Sequence, residues 1–134
     1  MGIIVMKFGG KAVADAAGIR LAADRVLQAI EASKKNEASS TLDSVLVVVS
    51  AMSGVTDSLF QAAKAAEDAD LSVAKRVCAE LKARHVSAAR LLAPKQSAGS
   101  EAEIESIIAA LDSRLQGVRL VGELSDRNMD EIAA

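Results

Sequence analysis

The sequence predicts an α/β protein that begins with a β-α-β unit containing a parallel sheet and continues into an αα-hairpin. Two apolar runs, residues 3–6 and 45–49, are too short for helices and are typical of strands. A segment of helical periodicity lies between them, and this order favours a parallel, right-handed crossover. The carboxyl ends of both strands are therefore expected at one sheet edge, where open α/β sheets bind their ligands.

The first strand leads directly into a candidate anion site. Residues 3–6 are expected to form a strand buried on both faces, and Lys7, Phe8, Gly9 and Gly10 follow them. Glycines after a strand let a ligand approach the backbone, a following helix directs unpaired N–H groups to the same place, and Lys7 adds a positive charge. These residues alone are explained equally well by a tight strand-to-helix turn with an exposed lysine.

A helix is predicted from about Ala16 to Ala32, with Asp15 as its N-cap. Its apolar residues recur at helical spacing: Ile19, Ala22, Ala23, Val26 and Ile30. The serine-rich segment 33–43 has no apolar period and is expected to be a surface loop.

The second strand is followed by a loop rich in hydroxyl groups. Ser50, Ser53 and Thr56 surround Gly54, and Thr56 is the expected N-cap of a helix beginning at Asp57. Hydroxyl and helix N–H groups suit a carboxylate or phosphate. By itself such a loop is more often only a helix cap, but its convergence with the first loop favours a site. The helix is expected to bury Leu59, Phe60 and Ala63.

The stretch from Ala62 to Val118 is expected to be helical, interrupted by Pro94 and the loop 97–100. The two resulting helices form the αα-hairpin, with Ser100 as the N-cap of the second and Glu101 and Glu103 in its first turn. Ser125 is expected to cap a last short helix. The predicted apolar faces are Val73, Val77, Leu81, Ala88 and Leu92 on the first helix, and Ile104, Ile107, Ile108, Leu111, Leu115 and Val118 on the second.

Composition narrows the possible functions. A net charge of −2 and an aromatic content of 1% argue against nucleic-acid binding, because bases would find few aromatic rings to stack on. Cys78 and His85 are the sole cysteine and histidine, which excludes an internal disulfide and leaves too few ligands for a zinc site. Cys78 is expected in the core and His85 at a surface or interface. No basic leader or membrane-spanning segment is found, so a cytoplasmic location is expected.

Three separated stretches resemble aspartate kinases of the amino-acid kinase superfamily. Val5 to Asp15 resembles the opening KFGGTSVAD, and Val47 to Asp57 is similar to the second signature almost letter for letter. Residues 122–130, with Gly122-Glu123-Leu124-Ser125, resemble a segment that leads into a glycine-glutamate pair. The resemblance implies a partial three-layer αβα fold, with a phosphate and substrate edge at 1–57, a helical region at 58–118 and the start of a truncated segment at 119–134.

The activity implied by the resemblance is transfer of the γ-phosphoryl group of MgATP to the side-chain carboxylate of L-aspartate, for lysine, threonine and methionine synthesis. Lys7 matches the catalytic lysine that offsets phosphoryl charge, and Phe8-Gly9-Gly10 would lie against the nucleotide phosphates. Ser50 and Thr56 match positions that hold phosphate or aspartate. The implied cofactors are ATP and Mg²⁺, and the expected assembly is a homo-oligomer or an association with missing domain segments.

The sequence departs from the family pattern at two places. Lys11 and Ala12 stand where the family has threonine and serine, so Lys11 is a candidate substrate ligand, with a solvated lysine as the equal alternative. The chain also ends before the family's glycine-glutamate pair and the remaining nucleotide contacts, so the 134 residues alone are expected to be inactive. The alternative function is a non-catalytic interaction or assembly module. A P-loop is disfavoured because no G-x-x-x-x-G-K-[ST] occurs.

Overall fold

The computed structural model describes residues 2–34 and 44–134, and the predicted α/β class is confirmed. Contacts divide the chain into two compact units, Met1–Ser53 and Gly54–Ala134. The first unit contains a β-α-β arrangement with a parallel sheet, and the second contains helices, including the predicted αα-hairpin. In chain order the elements are β1 (Ile3–Phe8), α1 (Ala16–Lys34), β2 (Ser44–Val49), α2 (Val55–Glu67), α3 (Leu71–Leu92), α4 (Ser97–Val121) and α5 (Asp126–Ala133).

In the first unit, β1 and β2 pair in parallel from Ile3 opposite Ser44 to Phe8 opposite Val49. Burial alternates along β1, with the even-numbered residues more buried than the odd-numbered ones. The prediction that this strand is buried on both faces is therefore wrong. The core lies on the face that carries Phe8, which packs with Val13 and Ala22, and the partly buried Met6, Ile19 and Val26 join them. The residues of β2 are mostly exposed, including Leu46 and Val49.

Helix α1 begins where the sequence predicted it. The Asp15 carboxylate accepts a hydrogen bond of 2.8 Å from the Gly18 backbone N–H, which confirms Asp15 as the cap. The helix continues through Ser33 and Lys34, so the predicted loop at 33–43 begins too early, and its remainder, 35–43, lies outside the described residues. Gly18 is required sterically, because a β carbon there would clash with the Ala12 carbonyl oxygen.

The second unit contains a break between α2 and α3 that was not predicted. Ala69 has a φ of 63°, in the left-handed region that L-residues seldom adopt, and this ends the helix. Asp70 then caps α3 by accepting a hydrogen bond of 3.0 Å from the Ser72 N–H. The predicted helix start at Asp57 is also wrong, since α2 begins at Val55. Phe60, which was predicted to be buried, is 42% exposed.

Helices α3 and α4 form the predicted αα-hairpin. They run antiparallel, because Arg90 is ion-paired with Glu101 at 2.6 Å while the earlier Lys82 is paired with the later Glu105 at 2.7 Å. Its buried side chains include Val77, Leu81, Leu111, Leu115 and Val118.

The start of α4 differs from the prediction. The helix begins at Ser97, and its N-cap is Gln96, so residues 97–100 are helical and Ser100 is not the cap. Glu101 and Glu103 consequently lie beyond the first turn. The turn around Pro94 ends the preceding helix, and in this turn the Gln96 N–H donates a hydrogen bond to the Ala93 carbonyl. The predicted loop at 97–100 is therefore not needed to separate the two helices. Ile107, assigned to the apolar face, is 61% exposed.

The short helix α5 begins as predicted. The Ser125 hydroxyl accepts a hydrogen bond of 3.2 Å from the Asn128 N–H, which confirms it as the cap. The segment before α5 is held by the Glu67 carboxylate, which accepts a hydrogen bond of 3.0 Å from the Leu124 N–H.

Candidate functional site

The two loops that follow β1 and β2 meet at one edge of the parallel sheet. The Ser50 N–H donates a hydrogen bond of 3.0 Å to the Phe8 carbonyl, which extends the strand pairing by one residue. The chain then turns after β1, where the Gly9 carbonyl accepts hydrogen bonds from the Ala12 N–H at 2.9 Å and the Val13 N–H at 3.2 Å. This turn leads into the Asp15 cap of α1.

Gly10 is the point of closest approach between these loops. A β carbon added to Gly10 would lie 3.2 Å from the Ala51 carbonyl oxygen and 3.7 Å from the Ser50 Oγ. Gly9, by contrast, has open space around it. The glycine pair therefore has two different positions: Gly10 packs against the second loop, while the backbone of Gly9 remains accessible from outside.

Lys7 and Lys11 place positive charge on either side of the glycine pair. Both side chains are exposed, and neither forms an ion pair with a carboxylate among residues 2–34 and 44–134. Their charges are therefore uncompensated within the described part of the chain. Such groups attract an anion to the sheet edge without first having to break a salt bridge.

Lys7 also lines an open cleft of about 290 Å³ in the first unit. Its other lining residues include Phe8 and Ala12, and four residues of α1 at helical spacing complete it: Gly18, Leu21, Ala22 and Arg25. Arg25 was not singled out from the sequence. In the sequence, Arg25 is distinguished only by lying seven residues after Gly18, which puts both residues on the same side of a helix. This spacing indicates a shared cleft only when the position of α1 beside Lys7 is known.

Thr56 is the candidate site residue that belongs to the second compact unit. It lies in the first turn of α2, in the second unit, whereas Lys7 to Lys11 and Ser50 belong to the first. The prediction that Thr56 caps α2 is wrong, because Gly54 holds the cap position with a φ of 79° and no side chain bonds to the helix end. The Thr56 hydroxyl is exposed and is not used as a cap.

The shifted pKa values belong to helix contacts in the second unit. A hydrogen bond from Lys64 lowers the pKa of Glu67, and a hydrogen bond from Arg90 lowers the pKa of Glu101. Burial raises the pKa of the Cys78 thiol, with a smaller contribution from Asp112. Cys78 is therefore the core residue that the sequence predicted, held in its neutral form.

The single histidine is bound to its own helix. His85 is partly buried, and its Nδ1 lies 2.7 Å from the Leu81 carbonyl oxygen. No group of three His, Cys, Asp or Glu side chains within the described ranges is arranged to hold a metal ion. In the same ranges, no helix is long and apolar enough to cross a membrane.

A parallel sheet edge that joins a glycine turn to a serine loop is typical of α/β proteins that bind anionic ligands. A sequence model of the amino acid kinase family matches residues 2–133, and the chain belongs to this family. By family it is a kinase, a phosphotransferase. No curated protein matches the chain.

Proposed function

We propose that this chain supplies the phosphoryl-transfer edge of an aspartate kinase, which transfers the γ-phosphoryl group of MgATP to the side-chain carboxylate of L-aspartate. The observation that supports it best is the contact of Gly10 with Ala51 and Ser50, because it joins the two family-like loops at one edge. Membership of the amino acid kinase family supports phosphoryl transfer. The choice of aspartate depends on the similarity of residues 47–57 to the second aspartate-kinase signature.

The proposed reaction brings two anions together, so catalysis is mainly positioning and neutralisation of charge. Lys7 offsets the negative charge on the phosphoryl group during transfer. The accessible backbone of Gly9 and the Ser50 hydroxyl offer neutral hydrogen-bond donors to phosphate or carboxylate oxygens. Lys11 adds a second cation where the family has a hydroxyl, and we assign it to substrate binding. Thr56 is assigned to the same role from the sequence alone.

The proposal includes ATP and Mg²⁺ as cofactors. The uncompensated charges of Lys7 and Lys11 suit the phosphates of ATP. The metal ion is different, because the described residues include no cluster of ligands for it. We therefore assign no step to a metal ion bound by these residues.

The substrate assignment can be tested by trapping the product. An acyl phosphate reacts with hydroxylamine to give a stable hydroxamate, which is measured by its coloured iron complex. The polypeptide, in the form that the cell produces, is incubated with MgATP, hydroxylamine and L-aspartate, and in parallel with L-glutamate or without an amino acid. We expect hydroxamate with aspartate alone. Hydroxamate formed from glutamate, or ADP released without an acceptor, would argue against aspartate as the substrate.

A second candidate function, an assembly module, is favoured by the exposed apolar residues of the sheet. Ile3 and Val5 of β1 and Leu46 and Val49 of β2 are each more than half exposed, which is unusual for strand residues of this type. Such a surface fits a homo-oligomer or an association with further segments of a kinase domain. Light scattering on the 134-residue chain tests it: a discrete oligomer supports the module, and a stable monomer opposes it. A cytoplasmic location is part of both proposals.

A further inference from the structure

We infer that the outer face of α4 is the contact through which two copies of this chain form an antiparallel, two-fold symmetric dimer. This α4 outer face consists of residues three and four positions apart, which lie on one side of a helix: Ile107, Ala110, Arg114, Gly117 and Val121. All five are exposed, Ile107 at 61% and Val121 at 70%. Large apolar side chains that are exposed together on one helix face are typical of a protein–protein contact.

One end of the α4 outer face is an open groove that α5 completes. The groove has a volume of about 280 Å³, and its lining includes Arg114, Gly117 and Val121 of α4 and Glu131 and Ile132 of α5. A β carbon added to Gly117 would meet no atom within 4 Å, so the glycine leaves the groove open. The groove therefore has room for an apolar side chain that comes from outside.

Ile107 has the position on α4 that suits this groove in a second copy. It is almost three helical turns from Gly117, about 15 Å along the axis, so it does not reach the groove of its own chain. When two α4 helices pair antiparallel about a two-fold axis, Ile107 of each copy faces the interval from Ala110 to Gly117 of the other. One arrangement then inserts both isoleucines into the facing helix, which is the packing of knobs into holes.

The charges beside the groove are complementary to a second copy. Arg114 and Arg127 each lie 3.2 Å from a carboxylate oxygen of Glu131, so two guanidinium groups share one carboxylate and this trio keeps an excess positive charge. Glu103 lies one helical turn before Ile107, is exposed and forms no ion pair with a described residue. Antiparallel pairing brings Glu103 of each copy to about one turn from Arg114 of the other. Opposite charges therefore meet at both ends of the contact.

The dimer is expected to dissociate on dilution. Helix α4 has 25 residues, and a contact made mainly by one pair of such helices buries less surface than a standard-sized interface. Sedimentation equilibrium of the 134-residue chain over a range of concentrations should show a mass of two chains at high concentration and of one chain at low concentration. A wild-type chain that remains monomeric at every concentration would overturn the inference.

Two variants assign the contact to α4 or to the sheet. Ile107→Arg should weaken dimerisation at least tenfold, because it brings a positive charge against Arg114 of the second copy. The matched control is Leu46→Gln, which changes an exposed leucine of β2 and should leave dimerisation unchanged. Circular dichroism confirms that both variants are folded. Wild-type dimerisation of Ile107→Arg would overturn the inference. An equal or larger effect of Leu46→Gln would also overturn it and assign the contact to the sheet face.

Disulfide trapping tests the antiparallel register. Ala110 lies close to the expected two-fold axis, whereas the neighbouring Ala109 is rotated by about 100° around the helix. Both alanines are exposed, and the native Cys78 is buried. On mild oxidation Ala110→Cys should become a covalent dimer much faster than Ala109→Cys, and equal or faster crosslinking of Ala109→Cys would overturn the inference.

The inference is independent of the proposed phosphoryl transfer, because it uses no residue of the sheet edge. A failed hydroxamate assay would leave the dimer unaffected, and a failed dimer test would leave the proposed phosphoryl transfer unaffected.

Discussion

Gly10 lies so close to Ala51 that a β carbon on Gly10 would be 3.2 Å from the Ala51 carbonyl oxygen. The contact joins the loop after β1 to the loop after β2, although Gly10 and Ala51 are 41 residues apart in the sequence. Because the contact is made with backbone, it depends on the absence of a side chain at this position. Gly10 thus has a structural role as well as the anion-binding role that the sequence predicts for the glycine pair.

The first prediction concerns this contact. Gly10→Ala should lower the free energy of unfolding by about 1 kcal/mol, because the Ala51 carbonyl must move by a few tenths of an ångström. Gly10→Val should cost more. Gly9→Ala is the matched control and should cost less than Gly10→Ala, since its β carbon meets open space. Urea denaturation followed by circular dichroism measures all three, and equal effects at both glycines would refute the packing role of Gly10.

A second pair of glycines tests the start of α1. Gly18→Ala should destabilise the protein by at least 1 kcal/mol, because the new methyl group would clash with the Ala12 carbonyl. Gly117→Ala, within α4 and with no atom nearby, should instead stabilise it by about 0.5–1 kcal/mol through helix propensity. The sign of the change in urea midpoint distinguishes the two. A stabilising Gly18→Ala would show that α1 does not approach Ala12 as described.

The left-handed residue between α2 and α3 provides a third prediction. Ala69→Gly should raise the free energy of unfolding by about 0.5 kcal/mol, because glycine adopts a φ of 63° without strain. Ala79→Gly, at an exposed position inside α3, should lower it by about 1 kcal/mol. If Ala69→Gly is as damaging as Ala79→Gly in thermal unfolding, then α2 and α3 form a continuous helix in solution.

The fourth prediction is a dependence of stability on pH. Hydrogen bonds from Lys64 and from the Leu124 N–H hold the pKa of Glu67 below its ordinary value of 4.5. A lowered pKa in the folded state means that Glu67 stabilises the protein fully above pH 4.5 and loses this contribution as the pH falls through the lowered pKa. Glu67→Gln should therefore be less stable than wild type at pH 7, and the difference should shrink in acid.

The control for this experiment is Glu123→Gln. Glu123 is exposed and forms no ion pair with a described residue, so this variant should follow the wild-type curve. Thermal unfolding between pH 7 and pH 3 provides the measurement. A constant difference between Glu67→Gln and wild type across this range would mean that the carboxylate contributes nothing through its charge.

Much of the fold could be predicted because local signals and packing agree. The strands at 3–8 and 44–49, the Asp15 and Ser125 caps and the αα-hairpin all have recognisable residues at their boundaries. The break at Ala69 had no such signal, because alanine is the best helix former and its left-handed conformation is imposed by the surroundings. Ser100 was misjudged for the opposite reason: a good capping residue lies inside a helix that had already begun at Ser97.

The candidate site was predictable where it depends on topology. Parallel pairing of β1 and β2 is sufficient to bring Gly10 to Ser50, and both strands were evident from their composition. Arg25 was not predictable, because its proximity to Lys7 depends on how α1 crosses the sheet. The expected burial of β1 on both faces failed because the described residues of this unit form two strands and one helix, which covers one face of the sheet.

We propose that Lys7 offsets charge during phosphoryl transfer, and the most direct test is the turnover of Lys7→Ala with MgATP and aspartate. The measurement uses the polypeptide as the cell produces it, and Lys75→Ala, an exposed lysine of α3, is the control. We predict that Lys7→Ala lowers kcat about a hundredfold to a thousandfold, with an unchanged unfolding curve, while Lys75→Ala retains activity. Near-normal turnover by a folded Lys7→Ala variant would contradict the claim.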